Sequence, residues 1–170
     1  MFSSAFSLSF FALLRVGEIT ADSRGIPGPH TIKCQDIHFK LINGMLELHV
    51  KICSSKADQR QHSITLIIPS QNTPICTVYM LHRFLQVRND TALKPLFVHF
   101  DGSMLTRYQF NSILQKTLAF CDIKDHIRSH SFRIGGATEL SRMGVKDNEI
   151  KQWGRWASSA YESYIRMNFS

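Results

Sequence analysis

The chain has 170 residues, of which 44% are hydrophobic and 19% are charged, and this composition excludes collagen-like and disordered proteins. A chain of this length buries roughly 70% of the surface that its unfolded form exposes, so one core can form without metal ions or disulfide bonds. Twenty Lys and Arg against 13 Asp and Glu leave a formal net charge of +7, which favours a polyanionic partner such as nucleic acid or an anionic membrane surface. The four cysteines lack the C-x-x-C spacing of zinc sites, so we expect no structural metal.

Residues 3–19 form the first predicted element, a helix that is apolar nearly all round and therefore suits the middle of a core. A secretory signal is the weaker interpretation, because no Lys or Arg precedes the apolar run and the first cation, Arg15, follows it. The run is also shorter than the about 20 apolar residues of a membrane span, so we expect no membrane partner. Because the helix begins almost at Met1, we expect that a leading domain has been lost or that the chain is the second half of something larger.

Three short β patterns follow, at residues 31–39, 45–53 and 62–68. The second alternates strictly between apolar and polar side chains, as expected for a strand with one buried face. Residues 54–61 between the second and third patterns are polar and predict the tip of a hairpin. The segment therefore predicts a small three-stranded antiparallel sheet.

The rest of the chain predicts helices, at residues 75–87, 106–121, 131–143, 147–154 and 161–167. Thr106 is a good N-cap residue, and Gly144 is a good stop after a helix. No repeat or long linker divides the chain. We therefore predict a single α+β domain, residues 1–170, that is mostly helical with one small sheet.

Two arginine motifs stand out against this background. Arg15 lies in one of the most apolar stretches and needs an anionic partner, either Glu18 within the chain or an external phosphate. His130 and Arg133 are three residues apart and share one face at the positive end of a predicted helix, where a phosphate can bind. The alternative interpretation of this pair is a helix-capping histidine and a surface arginine.

Two further features are unremarkable when each is taken alone. Lys56 lies in the polar hairpin tip, where a lysine is usually a solvated charge. Tyr161 and Tyr164 lie three residues apart near the end of the chain, beside two tryptophans and two arginines in residues 153–166. An amphipathic helix that uses its aromatic side chains in the core has the same pattern.

Together, the order and spacing of these motifs resemble the catalytic domain of tyrosine recombinases, the phage-integrase type of site-specific recombinase. Arg15 in L-R-x-x-E matches the first arginine motif, and Lys56 in S-K-x-D matches the family lysine. His130 and Arg133 in H-S-F-R match the second motif, and Tyr164, ten residues after G-R-W begins, matches the nucleophile. The segments FALLRVGEIT, HSFRIGGAT and GRWASSAYESYIR are most similar to recombinases of eukaryotic DIRS and Crypton elements.

The chain departs from the family pattern in two places. Arg155 stands where the family usually has His or Trp, with Trp156 beside it, and either side chain can supply the hydrogen bond to phosphate. The second departure is that the N-terminal core-binding domain of the family is absent from the chain.

The resemblance implies DNA cleavage and rejoining. Tyr164 attacks the scissile phosphate and holds the 3′-phosphate, while Arg15 and Arg133 stabilise the charge on the non-bridging oxygens. Lys56 protonates the 5′-hydroxyl leaving group, and His130 handles the tyrosine proton or binds the phosphate. Because the two guanidinium groups take the place of a cation, neither a metal nor a small-molecule cofactor is implied.

The implied partner is double-stranded DNA, with self-association of the protein on DNA. The expected location is intracellular, and nuclear if the source is eukaryotic. Two alternatives stay open. One is a domesticated copy that binds DNA without cutting it, and the other is an enzyme of type IB topoisomerase chemistry that relaxes DNA without exchanging partners.

Overall fold

The described part of the chain contains five α-helices and one three-stranded sheet. The computed structural model describes residues 1–22, 24–52, 63–88, 94–156, 162 and 165. The helices are α1 (Phe2–Phe11), α2 (Thr77–Gln86), α3 (Arg107–Phe120), α4 (Ser129–Arg142) and α5 (Asp147–Gly154). The strands are β1 (Ile37–Ile42), β2 (Met45–Ile52) and β3 (Ile64–Pro69). The predicted α+β class, mostly helical with a three-stranded antiparallel sheet, is confirmed.

The sheet has the order β1-β2-β3, and both strand pairs are antiparallel. Asn43 and Gly44 join β1 to β2 with φ angles of 49° and 79°, a left-handed pair that suits a two-residue hairpin turn. Leu48 and Val50 of β2 are fully buried, so the apolar face predicted from the alternation covers the core.

The first strand begins later than residues 31–39 predict. Cys34–Asp36 form a 3-10 turn instead, and the backbone N–H of Lys33 donates a 2.8 Å hydrogen bond to Oδ2 of Asp36. The carboxylate of Asp36 therefore accepts from the N–H of Lys33, which in a β-strand would donate to a neighbouring strand. The turn therefore delays the strand, which then runs to the hairpin turn at Asn43.

The predicted helix over residues 3–19 is wrong in its second half, because α1 ends at Phe11. Leu13 has a left-handed backbone with φ of 48°, and Val16–Glu18 form a 3-10 turn. Arg15 therefore precedes a turn and does not lie in a helix. The break leaves the backbone oxygens of Ala12 and Leu13, just after α1, as hydrogen-bond acceptors for the site described below.

Helix α1 packs closely against α4. A Cβ atom on Gly136 of α4 would lie only 2.3 Å from the backbone oxygen of Phe10 in α1. Glycine at this position is what lets the two backbones approach. The small residues that follow Arg133 therefore bring the start of α4 against the end of α1.

The helix ends follow the predicted signals. Thr106 caps α3, with its hydroxyl 3.2 Å from the backbone nitrogen of Gln109, and Gly144 follows α4 with φ of 79°. Helix α4 begins at Ser129, two residues before the predicted start, so His130 lies within the helix. The predicted helix over residues 161–167 falls outside the described residues, except for Glu162 and Ile165. No helix in the described ranges is long and apolar enough to cross a membrane.

Candidate active site

An open pocket of about 570 Å³ lies where the turn after α1 meets the first turns of α3 and α4. Its charged and titratable lining residues are Arg15, Glu18, His30, Arg107, His130 and Arg133. Three arginines therefore surround the pocket with a single carboxylate, which is itself buried. This charge balance suits an anionic ligand.

Arg133 is the most deeply fixed of the three arginines, with only 3% of its surface exposed. Its Nη1 donates a 2.5 Å hydrogen bond to the backbone oxygen of Leu13, and its Nη2 donates to that of Gly154. The ring of Trp156 lies 4.1 Å from its Cζ, at cation–π distance. Arg133 thus ties α4 to the ends of α1 and α5 and is held in one orientation at the pocket wall.

Arg15 combines an internal partner with exposure to the pocket. Its backbone N–H donates to Oε2 of Glu18 at 2.8 Å, and its Nη1 lies 3.5 Å from Oε1 of the same carboxylate. Its Nη2 reaches the backbone oxygen of Arg155 at 3.4 Å. The side chain is still 40% exposed, so the salt bridge to Glu18 orients the guanidinium without burying it.

Arg155 lies behind the pocket wall, with its side chain only 5% exposed. Its Nη2 forms a 2.8 Å ion pair with Oε2 of Glu18, whose side chain is equally buried. The guanidinium also donates to the backbone oxygens of Ala12 at 3.4 Å, Leu13 at 3.3 Å and Trp153 at 3.1 Å. Burial lowers the pKa of Arg155, and the charge of Glu18 opposes that shift.

Trp156 lies on the pocket side of the same turn. Arg155 has a left-handed backbone with φ of 57°, which ends α5 and reverses the chain. The ring of Trp156 then folds back over Gly154, so that a Cβ on Gly154 would lie 1.6 Å from a ring carbon. Of the two residues that the sequence left as alternatives, the structure places Trp156 on the pocket lining and Arg155 against Glu18.

His130 lies in the first turn of α4, on the lining of the pocket. Partial desolvation of its ring lowers its pKa, and the positive charge of Arg133 lowers it further. The neutral imidazole is therefore the main form at pH 7. A neutral ring can accept a proton, which a ring already carrying two protons cannot do.

We expect the imidazole of His130 to titrate with a midpoint below its ordinary value of 6.5. The Arg133→Gln variant should move the midpoint part of the way back, because it removes a nearby positive charge but leaves the desolvation. The measurement is an NMR pH titration of histidine side chains. Arg142→Gln, at the exposed end of the same helix, is the control and should leave the midpoint unchanged. A wild-type midpoint at or above 6.5 would contradict this account.

Sequence reasoning missed His30, Arg107 and Ser129, which also line the pocket. Arg107 carried a usable signal, because it is the first residue of α3 and a cation there opposes the helix dipole. The first turns of α3 and α4 contain no acidic residue, whereas α5 begins with Asp147 and Glu149. The start of α3 and the cation Arg107 therefore lie together at the pocket, an arrangement that suits an anion.

Residues 31–169 match the family model described as the phage integrase family. The chain belongs to this family. No curated protein matches the chain.

Solved structures of a site-specific recombinase and a transposon integrase share the fold. The XerH site-specific recombinase bound to its difH substrate matches 98% of the chain with a TM-score of 0.69 at 17% identity. The Tn1549 transposon integrase in complex with circular intermediate DNA matches 97% of it with a TM-score of 0.58 at 12% identity. The chain spans only 43% and 53% of these two proteins, respectively.

Four of the seven residues predicted from the integrase motifs line the pocket, namely Arg15, His130, Arg133 and Trp156. A fifth residue, Arg155, is behind its wall. Lys56 and Tyr164 lie outside the described residues, so their roles stay predictions from the sequence.

Proposed function

We propose that this integrase-family chain cleaves and rejoins double-stranded DNA in site-specific recombination, through a 3′-phosphotyrosine intermediate on Tyr164. The observation that carries the proposal is the pocket in which Arg15, His130 and Arg133 converge. Because the chain spans about half of its solved relatives or less, the activity is a proposal and not a consequence of the shared fold.

The arrangement of the arginines supports stabilisation of a pentavalent phosphate. Guanidinium groups donate paired hydrogen bonds and do not change protonation at neutral pH. Arg133 is held by two backbone oxygens and Arg15 by Glu18, so little reorganisation is needed when charge develops on the phosphate. Losing one such preorganised donor typically costs about 3 to 4 kcal/mol of transition-state stabilisation.

The proton transfers require two further groups. When the phenol oxygen of Tyr164 attacks phosphorus, the Tyr–phosphorus bond forms, the bond to the 5′-oxygen breaks, and the phenol proton must leave. Neutral His130 can accept that proton. Lys56 donates a proton to the 5′-oxygen as it leaves. Rejoining reverses these steps with a DNA 5′-hydroxyl as the nucleophile.

The test is covalent capture of DNA. The chain is incubated with duplexes of random sequence around one fixed 5′-bridging phosphorothiolate linkage, and DNA that stays attached in SDS is sequenced. Cleavage at the linkage releases a thiol, which does not re-ligate readily, so an adduct accumulates. We expect a recovered sequence motif. DNA binding without any adduct would favour the domesticated DNA-binding alternative. Supercoil relaxation without recombinant product would favour topoisomerase chemistry.

We expect binding to duplex DNA to weaken steeply with salt, because cations that contact phosphates release counterions from DNA. If the three pocket arginines, Arg15, Arg107 and Arg133, each contact one phosphate, affinity should fall about 40-fold between 50 and 200 mM salt. Arg107→Ala should lower the salt slope by about one. Arg142→Ala, about 18 Å away from His130 along α4, is the control and should not change the slope. An affinity that stays the same between 50 and 200 mM salt would argue against DNA as the partner.

If Lys56 is the general acid, a duplex with a sulfur leaving group should restore cleavage by a variant that lacks Lys56. Lys56→Ala should slow cleavage of ordinary DNA by about 10²–10⁴-fold, as expected for loss of a general acid. A bridging thiolate leaves without protonation, because a thiol has a pKa of only about 8.5. The same variant should therefore cleave the phosphorothiolate duplex at nearly the wild-type rate, whereas Arg15→Ala should not be rescued. Equal defects on both duplexes would exclude Lys56 as the acid.

We further propose a eukaryotic mobile element of the DIRS or Crypton kind as the source, with the protein acting in the nucleus and self-associating on DNA. The sequences of the three motif segments support this source, and the fold shared with a transposon integrase supports a mobile element. We also propose that residues 1–170 are a catalytic domain that works with a separate core-binding domain. The partial coverage of the solved relatives supports this division. Genomic sequence flanking the coding region tests the proposed source and the proposed core-binding domain.

A further inference from the structure

We propose that Arg155 is a positioning residue, which together with Glu18 aligns Arg15 and directs Trp156 over Arg133. Trp156, and not Arg155, then faces the phosphate from this turn. This inference rests on the proposed cleavage activity, and it concerns the position at which the family motif usually has His or Trp.

The burial of Arg155 is the first argument. Its side chain is 5% exposed, and both terminal nitrogens already donate to groups inside the protein. Its Nε is buried as well. Arg133 is also buried, but it lines the pocket, whereas Arg155 does not. A phosphate in the pocket would therefore have to displace several of these contacts to reach the guanidinium of Arg155.

Glu18 links the two arginines, which is the second argument. Its Oε1 lies 3.5 Å from Nη1 of Arg15, and its Oε2 lies 2.8 Å from Nη2 of Arg155. Nη2 of Arg15 donates in turn to the backbone oxygen of Arg155 at 3.4 Å. Arg15, Glu18 and Arg155 therefore form a closed ring of contacts. A shift of Arg155 moves two of the groups that orient Arg15.

The backbone at Arg155 supplies the third argument. Its left-handed φ of 57° is an unfavourable conformation for a residue with a side chain, and the contacts of the guanidinium with the ends of α1 and α5 hold it. That reversal is what lays the ring of Trp156 over Gly154 and against Arg133. The side chain of Arg155 thus fixes where the ring of the next residue lies.

The test removes the buried ion pair of Glu18 and Arg155 in one double variant. Glu18→Met/Arg155→Met removes both charges and keeps similar volume, so it avoids the unpaired buried charge that would unfold a single variant. Glu139→Met/Arg142→Met, which removes an exposed ion pair on α4, is the matched control. We expect the buried-pair variant to form the covalent adduct at least 30-fold more slowly, with affinity for the captured duplex within threefold of wild type. The control should match wild type in both.

Arg155→His separates positioning from phosphate contact. If Arg155 touched the phosphate, the histidine that the family usually has here would retain cleavage. We expect a loss of at least tenfold instead, because an imidazole cannot reach Glu18 and the three carbonyl groups together. Wild-type cleavage by Arg155→His, or by Glu18→Met/Arg155→Met, would overturn the inference.

A second readout does not depend on DNA cleavage. The chain has two tryptophans, so Trp153→Phe leaves Trp156 as the only one. In that background, loss of the buried pair should at least double the acrylamide quenching of Trp156 fluorescence, whereas loss of the exposed pair should not change it. Unchanged quenching in the buried-pair variant would overturn the inference. If the wild-type chain forms no adduct, the proposed function fails, and the quenching alone decides the positioning.

Discussion

Arg133→Ala should strongly slow cleavage and also destabilise the fold. The variant loses a preorganised donor to the phosphate, which predicts a slowing of about 10²–10³-fold. It also leaves the buried backbone oxygen of Gly154 without its donor, and Trp156 without the cation beneath its ring. The backbone oxygen of Leu13 loses its shorter hydrogen bond and keeps the one from Arg155. Each unsatisfied buried acceptor costs about 1 to 3 kcal/mol of folding free energy. Single-turnover adduct formation and thermal unfolding measure the two effects separately.

Arg15→Ala is the matched comparison, because Arg15 contributes the same chemistry from a more exposed position. Its side chain is 40% exposed, whereas Arg133 is 3% exposed, so we expect a similar loss of cleavage with a smaller loss of stability. DNA affinity should fall only modestly in both variants, since other cations also contact phosphates. Near-normal cleavage by either variant would remove that arginine from the proposed site.

Elements with a strong local pattern could be predicted from the sequence. The alternation in β2 fixes which face is buried, and the Asn43-Gly44 turn fixes the register with β1. In α3, the cap at Thr106 gives the start of the helix to within one residue. In these segments neighbouring residues decide the conformation, so one sequence is enough.

The end of α1 could not be predicted, because distant residues decide it. The apolar run continues to Ile19, and its pattern gives no reason to stop at Phe11. The chain after Phe11 is held by donors to the backbone oxygens of Ala12 and Leu13, which Arg155 and Arg133 supply from more than 100 residues away in the sequence. Tertiary contacts of this kind override local helix propensity.

The choice between Arg155 and Trp156 was open for a related reason. Arginine rarely adopts a left-handed backbone, so the sequence does not reveal that the chain reverses at Arg155. The sequence pointed to Arg15, His130 and Arg133 through their resemblance to the integrase motifs, and the three residues line one pocket.

Tyr164→Phe should remove the covalent DNA adduct completely, whereas Tyr161→Phe should retain it. The two tyrosines are three residues apart, so helix periodicity alone does not separate them. The spacing from Gly154 favours Tyr164 by its resemblance to the integrase motif. Phenylalanine keeps the ring and removes only the attacking oxygen, so the variant tests the nucleophile with little change in packing.

The reactivity of the attacking phenol depends on the groups around it. An ordinary tyrosine has a pKa of about 10 and is protonated at neutral pH, so the nucleophile needs nearby cations and a proton acceptor. In the proposed mechanism, Arg15 and Arg133 supply the charge, and neutral His130 supplies the acceptor. Mass spectrometry of the digested adduct should locate the nucleotide on Tyr164. An adduct that survives Tyr164→Phe, or a nucleotide mapped to Tyr161, would show that the pocket activates the other phenol.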